Sequence, residues 1–237
     1  MSQPTSTIPY HVALIPDGNR RWAKERGQLP WEGHDAGAKN TEQIVEKARE
    51  LGVRMISFWG SSLENMAKRP LDEKRELLRI YETYFVKLIE NESVHRDGVR
   101  IRMLGRWREQ FPDTLKQLLI RCEEETKTYT EYGLNFFLAY SGDDEMLSAV
   151  RSLISSGIRA EDISMETLKQ ALLTRELPPV DYLIRTGGEP HLSAGFMMWD
   201  IANAQLYFSE KYYPDFGSEA FAESLEEYAR RARRFGK

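Results

Sequence analysis

The chain has 237 residues, 41% of them apolar and 30% charged, with a formal net charge of −4. That is enough for one substantial domain with its own core. The slightly acidic balance argues against a nucleic-acid binder and leaves any anionic ligand to be held by a local set of cations and amides. In chain order, HVALIP (11–16) reads as a buried strand and RRWAKERG (20–27) starts a helix after the PDGN turn. The run 36–52 is a helix closed by glycine, 53–60 a strand, and 71–94 a long helix with apolar residues at helical spacing. Then 99–105 reads as a strand, 111–129 as a helix, 134–142 as a strand, and 145–157 and 164–174 as helices. A strand over 180–188 and a short one over 204–209 precede a helical, increasingly basic tail over 218–237. Strands alternating with helices predict an α/β fold: a central, mostly parallel β-sheet flanked by helices, in one domain over 1–237.

The single cysteine, Cys122, excludes an intrachain disulfide and a cysteine-built zinc site, and its charged helical surroundings read as an incidental thiol. The first sixteen residues lack a basic segment followed by a long apolar one, so no signal peptide is expected. No apolar run nears the roughly 20 residues of a membrane helix. The expected location is cytoplasmic, with peripheral membrane contact left open. The tail EEYARRARR is of mixed charge and reads as a solvated or subunit-contacting helix, not a nucleic-acid surface.

Three predicted strand ends carry unusual loops: IPDGNRRWA, WGSSLENMAKRP and IRTGGEPHLSAGF. Ligands of open parallel sheets gather at the carboxyl ends of strands, so these loops are expected to line one pocket. In the first, Gly18 permits a tight turn, and free amides of the helix that follows suit an anion. Arg20 and Arg21 there oppose the helix dipole, which makes sense if a diphosphate occupies the helix mouth. Asp17 beside them suits a phosphate if a divalent cation bridges the two. Pro-Asp-Gly-Asn is equally good chemistry for a plain β-turn. The second loop offers Ser62, Glu64, Asn65 and Arg69 to a phosphate and a reacting centre, or alternatively a helix cap. In the third, Arg185 stands at a strand end, before two glycines that let the backbone approach a ligand.

Taken together, HVALIPDGNRRWAKERG, GHDAGAK, SSLEN…RP, YLIRTGGE, LYFSEKYYPDF and RRFG resemble the cis-prenyltransferases, the family of undecaprenyl diphosphate synthase, nearly end to end. The resemblance implies a homodimer that joins an allylic isoprenoid diphosphate to a second C5 diphosphate, isopentenyl or dimethylallyl, with magnesium and with release of diphosphate. The DDxxD motif of trans-prenyltransferases is absent, as the resemblance implies: Asp143-Asp144 is followed by Glu-Met-Leu. Carried across, Asp17 matches the aspartate that places magnesium and drives loss of diphosphate. Gly18, Asn19, Arg20 and Arg21 match the cradle of that diphosphate, with Trp22 beside them and His34 as the assisting histidine. Ser62 and Asn65 match the polar pair near the reacting carbon, and Glu64, Arg69 and Glu73 accompany them. Arg185, His191 and Ser193 fall at the site of the second diphosphate, and Arg234 and Gly236 match a C-terminal element reaching towards it.

Departures from the pattern gather on the second-substrate side. His191 replaces an arginine's permanent charge, Pro190 replaces a histidine, and Gln205 stands where a magnesium-binding glutamate is expected. A neutral amide is a weaker partner for a hard cation, so Asp200 is a candidate substitute. Ser61 and Met66 replace aromatic residues, Pro30 replaces an arginine, YSGD (140–143) replaces YGGR, and one extra residue falls in each of AK (67–68) and SAGF (193–196). The rewriting suggests either an altered, non-head-to-tail condensation or a retuned elongating enzyme. A noncatalytic partner subunit is a third reading, against which the intact Asp17, Asn19 and Arg21 speak. Gly60 matches a position near the hydrocarbon tunnel, where its lack of a side chain leaves room for a long primer.

Overall fold

The computed structural model describes residues 8–231. Six strands form one sheet: β1 (His11–Ile15), β2 (Met55–Trp59), β3 (Val99–Leu104), β4 (Tyr132–Phe137), β5 (Tyr182–Arg185) and β6 (Gln205–Phe208). Their order is β3-β4-β2-β1-β5-β6, and all five pairings are parallel. The α-helices of the described residues are α1 (Asn19–Glu25), α2 (Pro30–Glu50), α3 (Leu63–Lys68), α4 (Leu71–Glu90), α5 (Glu92–Arg96), α6 (Trp107–Gln110), α7 (Asp113–Thr126), α8 (Gly142–Ser155), α9 (Met165–Ala171) and α10 (Tyr213–Arg230). The chain winds from β1 towards β3 on one side and later from β5 to β6 on the other. The β1/β5 junction is therefore the switch point at which an open α/β sheet forms its ligand crevice.

Both faces of β1 are buried, and residue parity assigns them. Val12 and Leu14 join a core with Ile44 and Ala48 of α2, Leu77 and Phe85 of α4, Leu119 of α7 and Phe221 of α10. Ala13 and Ile15 face a second, smaller core closed by the segment 177–201, including Leu177, Phe196, Met197 and Ile201. One face is thus covered by regular helices and the other largely by irregular chain. Cys122 lies on the buried face of α7, where burial pushes its thiol up to about 12, so the incidental thiol is an inert core residue.

Helix boundaries differ from the sequence expectation where caps and glycines decide them. α2 starts at Pro30, six residues early, because proline is tolerated at the first helical position and Glu32 caps the Leu29 amide. Gly33 and His34 therefore sit inside a helix. A Cβ at Gly33 would lie 2.1 Å from the Asn19 carbonyl oxygen, so glycine is what lets α2 press against α1. β4 stops at Phe137 and the chain turns through Ala139 (φ 49) to start α8 already at Gly142. α10 begins at Tyr213 and kinks at Gly217, whose φ of 58 interrupts the helix.

Candidate active site

At the switch point Asp17 and Arg185 meet. Ile15 pairs with Arg185 across β1 and β5, which brings the residue two places beyond the first strand over the end of the fifth. The Asp17 carbonyl accepts from Tyr213 N (3.0 Å) and Thr186 Oγ1 (2.8 Å), so its backbone is fixed from two elements. Its carboxylate, one-third exposed, accepts from Gly18 N (2.6 Å) and Arg185 Nη2 (2.8 Å), with Arg21 Nη2 at 3.2 Å. Gly18 has φ 105 and Gly187 φ 90. A side chain at Gly187 would strike Arg21, so this glycine is what lets the RTGG loop lie against the first turn.

A second centre lies beside it. Glu73, buried at the start of α4, is approached through one oxygen by an imidazole, His34 Nε2 (3.1 Å), and two guanidinium groups, Arg69 Nε (3.1 Å) and Arg20 Nε (3.6 Å). Burial pushes the His34 imidazole below its ordinary value, and the bond to His34 pulls the Glu73 carboxyl below the usual range. A neutral His34 must carry its proton on Nε2 to make this bond, so it acts as a hydrogen-bond donor and not as a charge. Arg20 remains exposed and retains free donors for an anion in the cleft.

The cleft of about 720 Å³ is lined by Asp17, Gly18, Asn19, Arg20, Arg21, His34, Ser62, Asn65, Arg69, Arg185 and Ser193, so eleven of the residues named from sequence come together. Lys24 and Gln28 line it too and were not anticipated; the spacing of Lys24 four residues after Arg20 on one helix face was the available signal. Ser62 Oγ accepts from Asn65 N (3.0 Å), so the cap reading of SSLEN holds and the same residues still face the cleft.

Four expected residues lie elsewhere. Trp22 points to α10, its Nε1 donating to Asp215 (2.7 Å) while Arg26 stacks on its ring. Glu64 is solvent-exposed and paired with Lys68 at 2.6 Å. His191 is exposed, and it is its backbone carbonyl that accepts from Arg185 Nη1 (2.6 Å). Gln205 is level with Tyr182 at the opposite end of the strands. Asp17 stands five residues further along and two strands across, about 16 Å and about 10 Å away in those directions. Within one chain the two do not share an ion. Asp200 is no substitute, because it is buried against Lys169 at 2.5 Å. Arg234 and Gly236 lie outside the described residues. Among the described residues no group of three or more His, Cys, Asp or Glu side chains could hold a metal.

Behind the cleft an apolar cavity of about 620 Å³ runs between α2, α4 and the sheet. It shares Pro16, Asn19, His34 and Gly60 with the cleft. Its walls include Val45, Ile56, Phe58, Leu77, Phe85, Leu88 and Leu134, and it reaches Val53 and Tyr132 near the opposite end of the strands. From Gly60 to Val53 is about 23 Å of extended chain. A Cβ at Gly60 would come 2.8 Å from Leu138 Cδ2 and 3.3 Å from Tyr81 Oη, so glycine holds the junction open.

The family model described as "Putative undecaprenyl diphosphate synthase" matches residues 15–236. A tritrans,polycis-undecaprenyl-diphosphate synthase (geranylgeranyl-diphosphate specific) of Thermococcus kodakarensis is 38% identical, over 98% of this chain and 89% of that protein. An isoprenyl transferase of Aquifex pyrophilus is also 38% identical, over 97% of this chain and 96% of its own. Lavandulyl diphosphate synthase from Lavandula x intermedia, solved in complex with dimethylallyl diphosphate, superposes with a TM-score of 0.91 at 32% identity, covering 98% of this chain and 99% of that one.

Proposed function

The chain belongs to the undecaprenyl diphosphate synthase family and is a prenyltransferase that condenses isoprenoid diphosphates, and we propose that its substrate pair is a long allylic primer and isopentenyl diphosphate. The observation that carries this reading is the apolar cavity that opens from the polar cleft at Gly60 and extends along the sheet. A primer with its diphosphate at Gly18–Arg21 has somewhere to lay a hydrocarbon tail of several isoprene units. Burying that tail is favourable at about 25 cal/mol per Å². The Thermococcus kodakarensis relative is named for geranylgeranyl diphosphate, and a primer of that size suits the cavity.

In this reading the allylic carbon–oxygen bond breaks and the negative charge collects on the departing diphosphate. Arg20, Arg21 and the amides after Gly18 stabilise that charge where it develops. The double bond of the second substrate, its own diphosphate held by Arg185 and Ser193, attacks the allylic cation. Loss of a proton then completes the new double bond, with Ser62 and Asn65 at the reacting end. The donor set fits magnesium in one form: a single, partly exposed carboxylate among the described residues, Asp17, facing a diphosphate cleft suits an ion completed by substrate oxygens and water, not an all-protein cage. Bound there, the ion would add positive charge to the leaving group.

A homodimer belongs to the same reading. The edge strand β6 exposes Leu206 and Phe208, and α8 exposes Leu147, Val150 and Ile154, apolar groups suited to a second copy. Gln205 can approach an Asp17 only from such a partner. No described helix is long and apolar enough to cross a membrane, and a cytoplasmic enzyme with peripheral membrane contact fits a product of growing hydrophobicity.

Purified protein with magnesium is to be incubated with dimethylallyl, geranyl, farnesyl and geranylgeranyl diphosphates, each with and without isopentenyl diphosphate, and the products resolved by mass spectrometry and NMR. Linear products that need isopentenyl diphosphate, formed best from the longer primers, are expected. The structural likeness to lavandulyl diphosphate synthase favours a second reading, in which dimethylallyl diphosphate is the acceptor. Branched products, or condensation without isopentenyl diphosphate, would establish that reading instead. Absence of product from every pair would leave a partner subunit.

A further inference from the structure

Two segments that depart from the family pattern, YSGD at 140–143 and SAGF at 193–196, touch each other. Gly142 N donates to the Ala194 carbonyl at 2.9 Å, and a Cβ at Gly142 would lie 1.9 Å from the Gly195 carbonyl oxygen. The second segment is held in an unusual conformation: Ala194 and Met197 have φ of 43 and 49, which non-glycine residues adopt only where their surroundings impose it.

Tyr140 supplies that constraint. It is 1% exposed, and its hydroxyl donates to Glu145 Oε2 (2.5 Å) while accepting from Met197 N (3.3 Å). Its ring meets Phe196 edge-on, and Phe196 in turn stacks on Trp59 at 5.5 Å. Glu145 is fixed from its other oxygen by Thr174 N (3.1 Å). The Tyr140 backbone also ties to the second cleft loop, donating to the Ser61 carbonyl and accepting from Leu63 N, both at 3.1 Å. Phe196 N closes the turn by donating to the Ser193 carbonyl (3.0 Å), and Ser193 lines the cleft with Arg185.

We propose that Tyr140 is a positioning residue for the second diphosphate: its hydroxyl, oriented by Glu145, fixes the turn 193–198 and so sets where Ser193 meets the substrate. This rests on the reading that Arg185 and Ser193 hold that diphosphate. Tyr140 touches neither substrate, and its effect is confined to one side of the reaction because the Asp17 side is built on other elements.

Steady-state kinetics on the full-length enzyme, with geranylgeranyl and isopentenyl diphosphates varied in turn, test it. Tyr140→Phe, which keeps the ring and removes the hydroxyl, should raise KM for isopentenyl diphosphate about fivefold, the equivalent of one hydrogen bond, and leave KM for the allylic substrate within about twofold. Adding Tyr140→Phe to Ser193→Ala should change little beyond Ser193→Ala alone, since one acts through the other. Glu145→Gln, whose single oxygen can accept from the hydroxyl or from Thr174 N but not both, should raise KM for isopentenyl diphosphate by no more than Tyr140→Phe does and leave KM for the allylic substrate within about twofold. Hydrogen exchange at the Met197 amide of the unaltered enzyme reads the same constraint without a variant, and should be slow. Equal changes in both KM values, full additivity with Ser193→Ala, or Met197 exchange as fast as in exposed loops would each overturn the proposal. If Ser193→Ala by itself leaves KM for isopentenyl diphosphate unchanged, the assignment of the second diphosphate site falls, and the proposal with it. An effect of Ser193→Ala without one of Tyr140→Phe removes the positioning role alone.

Discussion

The two sides of the cleft are built differently. The Asp17 side rests on regular elements: α1 follows β1 directly, α2 is drawn against α1 through Gly33, and Glu73 gathers two arginines and a histidine from three separate helical segments. The 186–199 side is irregular chain whose shape comes from positive-φ residues, buried aromatic rings and the Tyr140 hydroxyl. A site made of helix ends tolerates little change in its residues, because each is fixed by regular hydrogen bonds and close packing. A site made of a strapped loop can be re-aimed by altering the strap. Four of the departures from the family pattern, Pro190, His191, YSGD and SAGF, fall on the strapped loop or its strap, where the fold allows them, while Pro30, Ser61, Met66, the extra residue in AK and Gln205 lie elsewhere.

The sharpest way to break this comparison is at Asp17. Among the described residues, Asp17→Ala removes the one carboxylate that faces the cleft between Arg21 and Arg185. A fall in kcat of about a thousandfold or more is expected, the scale of losing a preorganised electrostatic group. The melting temperature should change by only a few degrees, because the backbone bonds from Tyr213 and Thr186 remain. Kinetics with a parallel melt measure both; substantial residual turnover would remove Asp17 from the chemistry.

Gly60 probes the cavity behind the cleft. Gly60→Leu places a side chain into the space bounded by Leu138 and Tyr81. For geranylgeranyl diphosphate kcat/KM should fall by about tenfold to a hundredfold, the range for steric mismatch in an apolar pocket. Dimethylallyl diphosphate, too short to reach past the junction, should lose far less. Equal losses for both would mean that the tail runs elsewhere.

The sheet and the strand ends that line the cleft were legible in the sequence because their signals are local. Six apolar runs bounded by glycine and charged turns give six strands, and PDGNRR and RTGG mark the ends at which β1 and β5 meet. Gln205 was harder. Its neighbours in sequence place it by a strand, but which end of that strand it occupies depends on the β5–β6 register, Tyr182 opposite Gln205, a long-range fact. Trp22 sits beside the cradle in sequence yet faces Asp215, 193 residues away, since neighbouring positions on a helix point in different directions. The coupling of YSGD to SAGF was likewise invisible: each is an oddity alone, and only the fold brings Gly142 under Ala194.

His191 sharpens the comparison from the loop side. The imidazole is exposed beside Glu189, outside the cleft lining, and leaves its carbonyl to Arg185, so His191→Arg adds a permanent charge without disturbing that bond. A charged hydrogen bond to phosphate is worth about 1.5–3 kcal/mol, so KM for isopentenyl diphosphate should fall by about tenfold. Gln205→Glu added to it should contribute further only where two chains associate, because Gln205 is at the far end of its own sheet. Titrating protein concentration while measuring the double variant separates the cases. A gain that persists in the dilute monomer would place that carboxylate in its own chain's site.

His34 carries the smallest expected effect and discriminates charge from geometry on the Asp17 side. Its imidazole lies below the ordinary value of 6.5 because burial disfavours the charged ring, so it stays neutral through the physiological range. KM for the allylic diphosphate should therefore vary by less than about twofold, as far as His34 is concerned, between pH 6.5 and 8. The stability linked to the neutral ring is whole above pH 6.5 and is withdrawn as pH falls towards the lowered folded value, where the buried ring must charge beside Arg69 and Arg20. His34→Gln keeps an N–H for Glu73 and should reproduce the flat profile with nearly unchanged KM. A KM that climbs steeply from pH 6.5 to 8 in the parent, and not in His34→Gln, would mean that a protonated imidazole binds the diphosphate and that the bond to Glu73 raises its affinity for the proton more than burial lowers it.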